Sequence, residues 1–323
     1  MNNHNNNKEK NLDLTNIDNK NTDWQHLHKN KTKHSHNHSH HLNDMEGNRL
    51  KITIVLNLTI SIVQIIGGLF SNSLSLLSDA LHNFSDGLAL WLTYITEKVS
   101  AKKINKYKTY GYNRAPIISA FTNAFVLILV CVYLAYEAYQ RFINPQEVNG
   151  GLLTIVASVG LLANLISVVL LYKIKGNNLN IKSAYLHLIG DTLSSVAVII
   201  GGILIYYYQI YIIDPILTVM IAIYIAKEAY SVLYETIEIL MQSTPDHIEL
   251  EDIRNFAETI ENVINLKALH IWSLDDKTLV LECKINISED LKISESEIIK
   301  QTFKNYLLDN YHIHKTNIEF IFK

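Results

Sequence analysis

The 323-residue chain holds only two cysteines, Cys131 and Cys283, in regions of different composition and without a Cys-x-x-Cys pair. A disulfide framework and a thiolate zinc site are therefore not expected. Charge is also sparse: 28 Lys and Arg stand against 31 Asp and Glu, a net charge of −3, and charged residues make up 18% of the chain. Such a balance argues against nucleic-acid binding as a main role. No Gly-x-x-x-x-Gly-Lys-Ser/Thr is present, so no P-loop couples the protein to ATP. No His-Glu-x-x-His places a glutamate base beside an open metal position, as a zinc protease needs. The first fifty residues lack the apolar core of a signal peptide.

What the chain does have is apolar sequence, unevenly spread. Apolar residues make up 48% of the total; residues 51–242 are dominated by Ile, Leu, Val, Ala and Tyr, and both flanks are polar. A membrane helix needs ~20 apolar residues. Six runs reach that length, at about 51–70, 74–96, 115–137, 152–172, 184–206 and 212–232. The loop after the second run carries Lys98, Lys102, Lys103, Lys106, Lys108 and Arg114, and the loop after the fourth carries Lys173, Lys175 and Lys182. Ser71-Asn72-Ser73 and the turn near Gln209 carry no basic residue, and the loop after the third run carries only Arg141. Basic loops stay in the cytoplasm, so the pattern predicts a multi-pass membrane protein with both termini cytoplasmic.

Two of the runs contain the same ionisable pair at the same spacing, His82-Asn-Phe-Ser-Asp86 and His187-Leu-Ile-Gly-Asp191. Residues at i and i+4 lie one above the other on a helix face. A carboxylate at the centre of the hydrocarbon layer costs roughly 2.5–3.5 kcal/mol or more, so two such pairs call for a role. Two imidazoles and two carboxylates make a tetrahedral set for a zinc-like cation. The second and fifth spans run antiparallel, and at ~1.5 Å per residue Asp86 and Asp191 fall at similar depth. His82 and His187 then lie one turn away on opposite sides of that level, and one cation between the helices could reach all four. Asp79, three residues before His82, either bonds a neighbouring helix or serves His82 and the exit path. Asn57, Asn123 and Asn164 read as hydrogen-bonding glue between helices rather than ligands, with Asn57 kept as a candidate on the pathway.

The flanks read differently. Residues 1–48 form an Asn- and His-rich tail with too little hydrophobicity to fold. Within it His34, His36, His38, His40 and His41 are either low-complexity sequence without a role or a weak cation-capturing cluster. Residues 241–323 follow 49–240, the membrane domain, and read as a small α+β domain. A helix is expected over about Ile248–Val263, strands over Leu266–Trp272 and Leu279–Ile287, a helix from Ser294 to about Asp309, and a strand over Ile313–Phe322. Ser294-Glu-Ser-Glu297 matches a capping box at the start of the second helix. The αββαβ order suggests a ferredoxin-like fold with both helices on one sheet face.

The segment Ser73-Leu-Ser-Leu-Leu-Ser-Asp-Ala-Leu-His82-Asn-Phe-Ser-Asp86 resembles the second-helix signature of the cation diffusion facilitator family. Tyr110-Gly-Tyr-Asn-Arg114, the segment Tyr136–Pro145, Tyr185-Leu-His187-Leu-Ile-Gly-Asp191, Asp214-Pro-Ile-Leu217 and Leu269-His270-Ile-Trp272-Ser273 are similar to further family segments. The resemblance covers the chain after about residue 48 and points to the bacterial zinc exporters. It implies a homodimeric exchanger of divalent cations for protons, with His82, Asp86, His187 and Asp191 as ligands. The chain departs from the family at Pro116, where many members have an acid. It also has Lys267 where a metal-binding histidine is expected; His247, His270, His312 and His314 remain candidates for an accessory site, and are read first as surface or interface residues.

The expected protein is thus a six-helix membrane bundle in the cell (inner) membrane, carrying a cytoplasmic ferredoxin-like domain. Zinc enters as transported substrate rather than cofactor, with cadmium or cobalt as further cargo, and protons return by alternating access. A metal needs deprotonated ligands, so zinc and protons compete for the same four groups. The readings set against this one are an intramembrane zinc enzyme and a metal sensor or storage protein.

Overall fold

The structure is a computed structural model that describes residues 44–100, 105–172 and 179–322. Residues 1–43 of the expected tail of 1–48, with its histidine cluster, lie outside the described residues; its last five, 44–48, are not unfolded chain but already belong to the first helix. Six long helices come first: α1 (Asp44–Ser71), α2 (Leu74–Ser100), α3 (Ala115–Ile143), α4 (Gly150–Tyr172), α5 (Leu179–Tyr208) and α6 (Ile213–Leu240). The elements α7 (Leu250–Glu258), β1 (Val263–Ser273), β2 (Leu279–Ile287), α8 (Ile293–Tyr311) and β3 (Lys315–Phe322) follow.

The helical part is turned inside out relative to a water-soluble bundle. Ser78, Asp79, His82, Asn83 and Ser85 of α2 are buried, as are Gln64 of α1 and Asn164 of α4. On α3, by contrast, Phe125, Val126, Leu129, Val132, Tyr133 and Tyr136 are exposed. An apolar surface of this extent belongs against lipid. Among the described residues, the helical stretches Ala115–Ile143, Ile189–Tyr208 and Ile213–Leu240 are long and apolar enough to cross a membrane. α2 falls below that measure because of the polar side chains it turns inward.

Most of the expected runs are longer as helices. α3 continues past residue 137 to Ile143, where Arg141 Nε lies 3.4 Å from Glu137 Oε1 one turn back. The α1–α2 turn is set by Asn72, whose φ of 56° lies in the left-handed region that asparagine tolerates. Its carbonyl accepts from Arg141 Nη1 at 2.6 Å and its Nδ2 donates to the carbonyl of Glu147 at 2.9 Å, which fastens this turn to the α3–α4 connection.

The start of α2 is held by a residue from another helix. Asp214, wholly buried at the start of α6, accepts from Leu74 N at 2.8 Å, Ser75 N at 3.1 Å, and the hydroxyls of Ser73 and Ser75 at 2.6 Å each. Ser73 Oγ in turn accepts from Leu76 N at 3.1 Å. The first amides of a helix have no partner within it and carry the positive end of its dipole. Here an anion answers both needs and ties α2 to α6.

In the C-terminal domain, β1 pairs antiparallel with β2 and β2 parallel with β3, giving a three-stranded mixed sheet of order β1-β2-β3. Leu281, Cys283, Ile285 and Ile287 of β2 share one core with Ile253 and Ala257 of α7 and with Ile299, Phe303 and Leu307 of α8. Both helices therefore pack against the face that strand alternation assigns to the interior. Burial pushes the Cys283 thiol up to about 12, so it serves as a core side chain rather than a nucleophile.

The two helices and the first strand of this domain differ from the sequence reading. The first helix is not Ile248–Val263 but α7, Leu250–Glu258; the chain then tightens through Thr259 and Ile260, and Asn262 turns with φ 66° into β1. The second helix starts at Ile293, not after Ser294: Glu295 Oε2 reaches back to accept from Lys292 N at 2.9 Å. This is one arm of a capping box, since a lysine side chain has no acceptor for the other. β1 also contains a bulge near Ala268, φ 47°, which lets Leu266 and Leu269 both reach the core.

Asp214→Ala should lower stability by about 3 kcal/mol or more, because it strands amides at a buried helix start. Asp214→Asn, which keeps an acceptor oxygen, should lose less. Thermal unfolding of the detergent-purified variants reads both, and an unchanged melting temperature for Asp214→Ala would contradict the capping role.

Candidate metal centre

His82 and Asp86 come from the middle of α2, and His187 and Asp191 from the first half of α5. Each pair keeps its i, i+4 spacing because the helices run unbroken through the motif. The four residues offer one ligand atom each, all within 4.8 Å of one another, and no other such group of His, Cys, Asp and Glu occurs among the described residues.

The shortest contacts cross between helices, which sets each aspartate level with the histidine of the other helix rather than, as the residue count suggests, with the other aspartate. His82 Nε2 is 3.2 Å from Asp191 Oδ1, and His187 Nε2 is 3.2 Å from Asp86 Oδ2. Within each helix the distance is 3.6 Å, from His82 Nε2 to Asp86 Oδ2 and from His187 Nε2 to Asp191 Oδ2. Ligand atoms around a tetrahedral zinc sit ~2.0–2.2 Å from the metal, and hence somewhat over 3 Å from each other. The donor set matches that chemistry in number, type and spacing.

The cluster has a closed side and an open one. The side chains of His82 and Asp191 are 5% and 4% exposed, whereas those of Asp86 and His187 are 33% and 37% exposed. One turn beyond His82 on the closed side, both oxygens of the buried Asp79 are taken up by α5: Ser194 Oγ donates to Oδ1 at 2.6 Å and Ser195 Oγ to Oδ2 at 3.1 Å. His82 Nδ1 is buried without a hydrogen-bond partner among the described residues.

Other sequence candidates lie elsewhere. Asn57 is half-buried on α1, where its backbone carbonyl accepts from Ser61 Oγ at 2.8 Å. Asn123 exchanges hydrogen bonds with Ser85, linking α3 to α2. His247, His270, His312 and His314 are exposed and form no cluster among the described residues. His34, His36, His38, His40 and His41 are outside the described residues.

One residue beside the cluster was missed by the sequence reading. Glu228 of α6 places Oε1 3.4 Å from His187 Nδ1 and Oε2 4.0 Å from His82 Nε2, and Tyr224 Oη donates to Oε1 at 3.0 Å. The available signal was a glutamate inside the sixth apolar run. Its single occurrence, without a histidine at i±4, carried no motif.

Long helices with lipid-facing apolar surfaces, joined to a small mixed-sheet domain, define a helical transmembrane protein with a soluble C-terminal domain. Residues 50–241 match the cation efflux transmembrane domain, and residues 245–320 match the cation efflux protein cytoplasmic domain. The chain belongs to the cation efflux, or cation diffusion facilitator, family of membrane transporters. It is similar to a Bacillus subtilis protein named cadmium, cobalt and zinc/H(+)-K(+) antiporter, 39% identical over 82% of this chain and 87% of that one. The zinc transporter ZitB of Pectobacterium atrosepticum is 32% identical, over 86% of this chain and 87% of its own. The metal cation efflux system protein CzcD of Cupriavidus metallidurans is 30% identical, over 87% and 89%.

Asp79→Asn should loosen the α2–α5 contact by about 1 kcal/mol, since an amide replaces an acceptor of two hydroxyls. It should leave zinc affinity close to that of the unaltered protein. Calorimetric titration in detergent checks this; loss of zinc binding would bring Asp79 into the ligand set.

Proposed function

We propose that the protein exports Zn²⁺, with Cd²⁺ or Co²⁺ as further cargo, in exchange for protons, and that His82, Asp86, His187 and Asp191 are the transport ligands. The observation that carries this reading is the meeting of four donor atoms between two helices, with one sealed side and one exposed side. The names of the relatives, which include zinc, cadmium and cobalt and an antiport with H⁺, agree with it.

In this reading all six long helices span the inner membrane of a bacterial cell, and both termini are cytoplasmic, as the basic loops require. The membrane domain then occupies about residues 49–240, and residues 241–323 form a cytoplasmic domain of ferredoxin-like type that pairs two copies of the chain. α2 runs inward and α5 outward, so Asp86 and His187 are the cytoplasmic pair and His82 and Asp191 the outer pair. The more exposed pair thus faces the compartment from which metal is taken. The outer pair is sealed, and Asp79 with Ser194 and Ser195 lies beyond it.

The exchange follows from charge. Two aspartates with neutral imidazoles leave a charge of −2 that is costly in a low-dielectric layer. Zinc binding requires deprotonated ligands and releases protons. After zinc leaves on the outer side, protons neutralise the site and let it return. The energy comes from the proton gradient, and the same groups serve both cargoes in turn.

Asp86→Asn and Asp191→Asn should each abolish uphill zinc movement in proteoliposomes under an imposed pH gradient, while the protein still folds. Near-normal flux in either would end the four-ligand assignment. His82→Asp replaces a nitrogen by a third carboxylate, which suits larger or harder cations better than zinc. It should lower the ratio of zinc to cadmium transport in competitive flux assays, and an unchanged ratio would remove His82 from the ligand set.

A further inference from the structure

We infer that Glu228 and Tyr224 of α6 form a positioning relay that fixes His187, making Nε2 rather than Nδ1 its metal-binding nitrogen. The inference rests on the four-ligand reading above and adds a third helix to the site. It starts from an asymmetry between the two histidines. The Nδ1 of His82 is buried and has no hydrogen-bond partner among the described residues. The Nδ1 of His187 lies 3.4 Å from Glu228 Oε1, and its Nε2 lies 3.2 Å from Asp86 Oδ2, at the cluster.

A neutral imidazole has one N–H and one lone pair, and the group accepting the N–H decides which nitrogen is free to bind metal. With a cation in the cluster and the ring neutral, Glu228 Oε1, 3.4 Å from Nδ1, is the acceptor for the single N–H, and the lone pair is then left on Nε2, which faces Asp86 and Asp191. The ring of His187 is more exposed than that of His82, with 37% of its side chain accessible, so packing alone holds it less firmly. Glu228 is itself held: Tyr224, one turn earlier on α6, donates its hydroxyl to the same Oε1 at 3.0 Å. The chain Tyr224–Glu228–His187 therefore runs from α6 to the metal-facing atom of α5. Glu228 Oε2, 4.0 Å from His82 Nε2, remains outside hydrogen-bonding distance of that ring.

Such outer partners of a metal-bound histidine typically change metal affinity by about 10–100-fold when removed. Glutamine at 228 keeps an oxygen that accepts from Nδ1–H and removes only the charge. Leucine removes the acceptor. Phenylalanine at 224 leaves Glu228 in place without its hydroxyl support.

The test uses the full chain in detergent, titrated with Zn²⁺ by calorimetry and with Co²⁺ by visible absorption, whose intensity and position report tetrahedral geometry. Glu228→Leu should weaken zinc binding about 10–100-fold and alter the cobalt spectrum. Glu228→Gln should stay close to the unaltered protein in both, and Tyr224→Phe should fall between. Asp191→Asn runs beside them: if it retains zinc, the four-ligand reading fails, whatever Glu228 does. If Asp191→Asn loses zinc while Glu228→Leu keeps the original affinity and spectrum, the relay is overturned. It is equally overturned if Glu228→Gln loses as much as Asp191→Asn, because the charge of Glu228 would then bind the metal directly. Should Glu228→Leu fail to fold, the Glu228→Gln and Tyr224→Phe pair still decides between these outcomes.

Discussion

A carboxylate placed among apolar helices must be answered by an opposite charge or a donor, and in this protein that demand organises the membrane part. Asp86 and Asp191 are each answered first by the histidine of the opposite helix, at 3.2 Å, and only then by their own, at 3.6 Å. The crossed arrangement means that neither helix completes its site alone. α2 packs chiefly on α3 and α6, and α5 chiefly on α4, with little direct contact between α2 and α5. The ionisable cluster lies at the seam between these two packed groups.

Two further carboxylates set how that seam is held. Asp214 fixes the start of α2 to α6 through amides and hydroxyls, which keeps α2 with the α3–α6 group. Asp79 reaches instead to Ser194 and Ser195 on α5 and bridges the seam itself. The two differ in reversibility. The Asp214 contacts satisfy helix-end amides with no other partner, whereas the two serine hydroxyls at Asp79 can rotate to another acceptor. The bridge that closes one side of the cluster is therefore the easier of the two to break.

Much of this was legible in the sequence because it depends on local periodicity. The His-x-x-x-Asp spacing fixes a helix face, apolar runs mark long helices, and the alternation of Leu281, Cys283, Ile285 and Ile287 marks an inward strand face. What escaped depends on contacts between distant segments or on single residues. The bulge at Ala268 shifts which β1 residues face inward, and no local pattern announces it. The start of α8 at Ile293 is set by Glu295 reaching back, while the sequence offered a better-looking serine next to it. Glu228 was missed because its role arises from α6 lying beside α5.

The participation of α6 changes how charge is distributed through the site. Exposure falls from Glu228 and His187, at 37%, through Asp86 at 33%, to Asp191 at 4%. Solvent screens charges at the exposed end and leaves those at the closed end unscreened. The outlying carboxylate thus adds attraction for a cation where water still compensates it, and the strongest demand for neutralisation falls on Asp191, at the sealed end. On the proposed four-ligand reading, a cation entering from the open side would gain steadily as it exchanged water for protein ligands, and Asp191, the most buried carboxylate of the four, would complete its binding. The same gradient explains why a third carboxylate is tolerated near the pair: it stands at the rim, where its desolvation cost is smallest, and it is held there by the hydroxyl of Tyr224, which donates to it, and by the His187 ring 3.4 Å away.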